Sequence, residues 1–142
     1  MRDFGKCERA ESGQVITREE RSRKFCLVNP RRAKVRVIEV DGCFIAEGLR
    51  CDWLFLPTED QLEIYVELKG SDIRHAIRQI EETIPQVSED VRTRAKWCYV
   101  ISGGGHHPSI KTYIQKAKAR FRGAYKAQLK TTSQGIATHT LG

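Results

Sequence analysis

The sequence predicts an α/β protein built on a mixed β-sheet flanked by helices. Three observations lead there. Short apolar or alternating runs suited to strands crowd residues 24–68 and return at 97–102. Two longer segments, after Ser71 and from Ser109, place apolar residues at helical spacing. The first of these lies between two strand runs, and a strand–helix–strand crossover makes its strands parallel. The closely spaced strands before it pair antiparallel, so the sheet is mixed.

The 142 residues suit one domain, 1–142. Residues 1–22 are polar and without strong period, and read as a loosely attached N-terminal segment. Within and beyond them TREERSRK reads as a short helix, with Thr17 as N-cap and Glu20 three residues on, the spacing of a capping box. Strands are expected at 24–28, at 33–40 after the Asn29-Pro30 turn, with a continuation at 43–46, at 51–56 and at 62–68. Ser71 or Asp72 caps the first helix, whose stripe is Ile73, Ala76, Ile77, Ile80 and Ile84, and Pro85 stops it. The run 97–102 is apolar on both faces, as in a strand covered twice. A second helix is expected over 109–121, and 127–132 with 136–141 read as a terminal hairpin around Gly135.

No apolar stretch is long enough for a membrane helix, and the first residues lack the apolar core of a secretory signal. Five cysteines are scattered without a CxxC pair, which speaks against a zinc knuckle and suggests free thiols in a reducing cytoplasm. The net charge is +7, unevenly spread. Residues 1–90 hold 15 Lys/Arg and all 18 Asp/Glu, whereas 91–142 hold 10 Lys/Arg and no acid. An acid-free stretch of this length is either a footprint for a polyanion or a solvated basic face.

Asp52 begins one apolar strand, and Glu67 and Lys69 stand at the end of the next. Residues two apart on a strand share a face, so Glu67 and Lys69 project together while Leu68 points to the core. If the strands pair, both carboxylates meet at one sheet edge. Such a pair supplies hard oxygen ligands for Mg²⁺ or Mn²⁺, with the Leu68 carbonyl as a further donor. Lys69 can orient or deprotonate a water, or stabilise developing charge. The competing explanation is structural, Lys69 neutralising two acids in an ion-pair cluster. Asp41 and Glu47, each before a glycine, are turn residues. His106 and His107 follow three glycines without the Lys-Ser/Thr of a nucleotide loop, and no carboxylates lie near them to make a zinc site. Trp53, Tyr65, Trp97 and Tyr99 sit on strands, where core packing is commoner than base stacking.

The run from Val40 to Ile84, with Asp52 followed by Glu67-Leu68-Lys69 and then a helix, resembles the core of PD-(D/E)xK nucleases, the restriction-endonuclease-like and Holliday junction resolvase-like proteins, including small bacterial and phage members. The resemblance covers about a third of the chain closely. It implies a restriction-endonuclease-like core, DNA as partner, a homodimer, and Mg²⁺-dependent phosphodiester hydrolysis. Asp52 and Glu67 would bind metal and Lys69 would position the attacking water. The family often adds a glutamate from an N-terminal helix, for which Glu19 and Glu20 are the candidates. A Gln-x-x-x-Tyr signature after the lysine is absent, since Gln79 is followed by Thr83. His75 and Gln79 share one face of the first helix, turned either to the site or to solvent. Arg92, Arg94, Lys96, Lys111, Lys116, Lys118, Arg120, Arg122, Lys126 and Lys130 become phosphate contacts. The alternative function is a catalytically inactive module on the same fold, binding nucleic acid or an acidic partner.

Overall fold

The computed structural model describes residues 2–68, 72–104 and 108–142. Among these the chain forms a 3-10 turn (Gly5–Cys7), nine strands and two helices. The strands are β1 (Glu8–Glu11), β2 (Val15–Glu20), β3 (Arg23–Val28), β4 (Val35–Glu39), β5 (Trp53–Pro57), β6 (Leu62–Glu67), β7 (Ala95–Ile101), β8 (Ala127–Thr132) and β9 (Ile136–Thr140). The helices are α1 (Ile73–Val87) and α2 (Ile110–Tyr125). A six-stranded sheet runs β1-β4-β5-β6-β7-β8, and a three-stranded sheet runs β2-β3-β9.

The large sheet is mixed, as the sequence predicts. β1, β4, β5 and β6 pair antiparallel in turn. β6, β7 and β8 are parallel, joined through α1 and α2. Strand alternation then sorts the side chains into two cores. Leu54, Tyr65, Cys98 and Val100 face the helices and pack with Ile77, Ile80, Ile84, Ala117 and Phe121. Phe55, Ile64, Val66, Tyr99 and Ile101 face the other way and pack with Ile16, Phe25 and Leu27 of the small sheet. The layers are therefore helices, large sheet, small sheet, with helices on one face only.

Several expectations are corrected. Residues 8–20 are not loose and not helical. β1 is hydrogen-bonded to β4, and β2 forms a hairpin with β3. Arg21 and Ser22 both take positive φ, 50° and 67°, the geometry of a tight hairpin turn. Burial of Ile16, Phe25 and Leu27 against the large sheet outweighs the local capping-box preference for helix. The expected continuation at 43–46 is a turn with a single bridge, Asp41 to Ile45. Pro85 does not stop α1, which runs two residues further. The proline forfeits one backbone bond, while Ile84 and Val87 stay anchored in the helix-side core. Asp72 is the N-cap, its carboxylate accepting from the His75 N–H at 3.1 Å, whereas Ser71 lies outside the described residues.

The terminal hairpin is also absent. β8 lies at the edge of the large sheet, and β9 leaves it to pair in parallel with β3. Gly135, at φ +79°, makes the switch, its N–H donating to Ser102 and its carbonyl accepting from Lys24. Finally, Cys7 and Cys43 form a disulfide, with Cα atoms 5.7 Å apart. The Glu8↔Ile38 register brings their two loops to the same end of the β1–β4 pair, a proximity hidden by a sequence separation of 36. Cys26, Cys51 and Cys98 are thiols. Disulfides persist in oxidising compartments, so the cysteine pattern no longer points to a reducing cytoplasm. Among the described residues no helix is long and apolar enough to cross a membrane.

Candidate functional site

β5 and β6 pair with Trp53 opposite Val66 and Leu54 opposite Tyr65. Asp52 and Glu67 each lie one residue beyond the Trp53–Val66 pair, on neighbouring strands. The β5–β6 ladder is offset at that step, since the Asp52 N–H donates to the carbonyl of Val66, the partner of Trp53, while the Asp52 carbonyl accepts from Val40, both at 3.1 Å. By alternation with Tyr65, the Glu67 carboxylate projects to the helix side of the sheet, and Asp52 reaches the backbone beside it through the Leu68 N–H. Both are buried, Asp52 at 5% exposure and Glu67 at 0%. Asp52 Oδ2 accepts the Leu68 N–H at 2.7 Å, so the main chain after Glu67 is tied to the aspartate. The Leu68 side chain packs in the opposite core, as its parity requires.

The strand entry carrying Asp52 is held by α1. Thr83 Oγ1 accepts the Cys51 N–H at 2.8 Å while donating to the Gln79 carbonyl at 2.6 Å. Gln79 Nε2 donates to the Arg50 carbonyl at 3.0 Å. Arg50 in turn bonds Asp41 Oδ1 at 2.7 Å, fastening the preceding loop. The two polar residues four apart on α1 thus replace water on an otherwise unpaired stretch of backbone. The sequence leaves Gln79 facing either the site or solvent and gives Thr83 no role of its own. The available signal was a polar residue inside an apolar helical stripe.

Cys51 is fully buried beside the pair. Its thiol is pushed well above its ordinary value by burial, and further by the negative field of Glu67 and, more weakly, of Asp52. Two buried carboxylates at adjoining strand ends repel unless a cation offsets them. The donor set fits Mg²⁺ or Mn²⁺, which accept one or two carboxylates and complete their shells with water and phosphate oxygens. Among the described residues no group of three or more His, Cys, Asp or Glu is arranged to hold a metal.

The remaining predicted residues divide clearly. Lys69, His106 and His107 lie outside the described residues. Glu20 is on β2, in the small sheet against the opposite face, and the fold does not give it the layer of Asp52 and Glu67. His75 is exposed, one turn before Gln79. Lys111, Lys116, Arg122 and Lys126 are exposed and Lys118 half-buried along α2, whose amino end lies at the Glu67 end of the sheet because β6 and β7 are parallel. Arg120 spans both Glu81 oxygens at 2.8 and 3.0 Å, linking α2 to α1. Lys96 is no phosphate contact. It is buried, and its ammonium donates to the carbonyls of Asp90, Val91, Arg94 and Tyr125. Glu63, its register partner, accepts from Tyr65 Oη, Ser88 Oγ and the Glu89 N–H.

No family model, no curated protein and no solved structure matches this chain.

Proposed function

We propose that this chain is a metal-dependent DNA endonuclease of the PD-(D/E)xK kind. The Asp52–Glu67 pair, buried at adjoining ends of two paired strands, carries the reading. It sits on two antiparallel strands followed by a helix and a parallel strand, the order that the motif requires. Asp52 and Glu67 would hold Mg²⁺ or Mn²⁺, which supplies charge stabilisation at a scissile phosphate and a more acidic water. Lys69 would orient that water. Asp52 is fixed by the Leu68 N–H and, through its strand entry, by Thr83 and Gln79. The exposed cations of α2 would hold phosphates without reading bases. A symmetric homodimer would present two such centres to a duplex.

The test is cleavage of supercoiled, linear, branched and single-stranded DNA with Mg²⁺ or Mn²⁺. Asp52→Asn and Glu67→Gln are expected to lower the rate at least about 100-fold, as loss of a preorganised charge partner does. No cleavage of any substrate, or cleavage unchanged in both variants, overturns the reading. The complete burial of Glu67 favours a second reading, a non-catalytic nucleic-acid-binding module on the same fold. It expects metal-independent, salt-sensitive binding that Lys111→Glu with Lys116→Glu abolishes.

A further inference from the structure

The two sheets part company at the carboxyl-terminal strands. β8 is an edge strand of the large sheet and β9 an edge strand of the small one. The space between them is an open cleft of about 420 Å³ against the large sheet face turned away from the helices. Its floor is aromatic. Trp97 and Tyr99 project side by side from β7, with centroids 6.3 Å apart and planes within 15°. His139 of β9 meets Trp97 edge-on at 5.1 Å and shares a 2.6 Å hydrogen bond with Tyr99 Oη through Nδ1. The Lys130 ammonium stands 5.6 Å over the Trp97 ring. Threonines, among them Thr132 and Thr140, line the remainder, and no carboxylate does.

Sequence statistics favour core roles for these rings, and Tyr99 is buried. Trp97 is only half-covered. A half-covered tryptophan beside a cation, in a cleft without acids, is complementary to a flat ring that carries negative charge at one end. We propose that this cleft binds an unpaired nucleotide of a nucleic-acid strand, its base stacked on Trp97 and its phosphate held by Lys130.

Four observations support that occupant. Lys130 is exposed, and its flexible stem lets the ammonium leave the ring for a phosphate as a base takes its place. The residues of the cleft all belong to 91–142, the part of the chain without a carboxylate. The Asp60 carboxylate acts on His139 from outside the cleft, and Asp60 is itself offset by Arg31 at 3.9 Å. A paired base hides its faces in the stack, so the cleft suits single strands over duplex. Burial keeps the His139 imidazole below its ordinary value and holds the Tyr99 phenol up at about 12. Both therefore meet a base as neutral hydrogen-bonding groups, and Lys130 supplies the positive charge.

The cleft is independent of the Asp52–Glu67 centre and is tested without metal. The chain has two tryptophans, so Trp53→Phe leaves Trp97 as the sole indole reporter. In EDTA, a dT or rU dodecamer is expected to quench that fluorescence saturably, and the corresponding duplex is expected to leave it unchanged. By anisotropy of a labelled single strand, Trp97→Leu is expected to weaken binding at least about fivefold and Trp97→Phe less, as loss of one base stack predicts. Lys130→Gln is expected to weaken binding and flatten its salt dependence. Circular dichroism checks that each variant is folded. Unchanged fluorescence at saturating oligonucleotide, or equal single-strand affinity in folded Trp97→Leu, overturns the proposal. A dodecamer that binds without quenching assigns the strand to another surface and overturns it too.

Discussion

Single polar atoms decide how the candidate centre is held. Thr83 is the clearest case, because its hydroxyl is the partner of a buried backbone donor in the segment that delivers Asp52. Thr83→Val keeps the shape and orphans the Cys51 N–H, at a cost of about 1–3 kcal/mol. Chemical denaturation should show that loss, and Thr83→Ser should restore most of it. His139 gives a pH signature. Burial lowers its folded-state pKa, so the folded protein favours neutral imidazole. Its contribution to stability is present above the unfolded value of about 6.5 and is lost as pH falls through the folded one. Midpoints of thermal unfolding should therefore drop as pH falls below about 6.5, and His139→Gln should flatten that part of the profile. A flat profile in the unaltered protein would contradict the assignment.

At the scale of elements, hydropathy patterning shows most of the large sheet and both helices. The strands at 62–67 and 127–132, the crossover between β6 and β7, and the doubly covered β7 all follow from local periodicity. The pairing of the two strands that lead to Asp52 and Glu67 was also legible, because they are neighbours in sequence joined by a short turn. Three things were not. β2 lacks an apolar alternation of its own, its single buried residue being Ile16, so only its partners define it as a strand. β8 and β9 look like a hairpin because two short strands flank a glycine turn, and nothing local says that β9 finds β3 instead. The Cys7–Cys43 pair depends on strand register. That bond closes a loop of 36 residues containing β1 to β4, worth about 3–4 kcal/mol in the chain-entropy account. Reduction, or Cys7→Ser with Cys43→Ser, should lower the thermal midpoint, and the double variant should no longer respond to reductant.

For the molecule as a whole, charge and fold are arranged on different plans. The acid-free stretch 91–142 supplies β7, α2, β8 and β9, which take part in all three layers. Cations from one stretch of sequence therefore reach opposite faces, along α2 on the helix side and at Lys130 on the other. The partnership of β9 with β3 also imposes an order of events. β9 leaves the ribosome about a hundred residues after the strand it must join. Through most of synthesis the β3 edge of the β2–β3 hairpin is open, and the wall of the aromatic cleft that carries His139 is missing. Closure of that distant parallel pair is the slow, topologically expensive step in such a chain. A nascent protein halted before Ile136 would already contain the strands that carry Asp52 and Glu67, with the strand-end cleft still unmade.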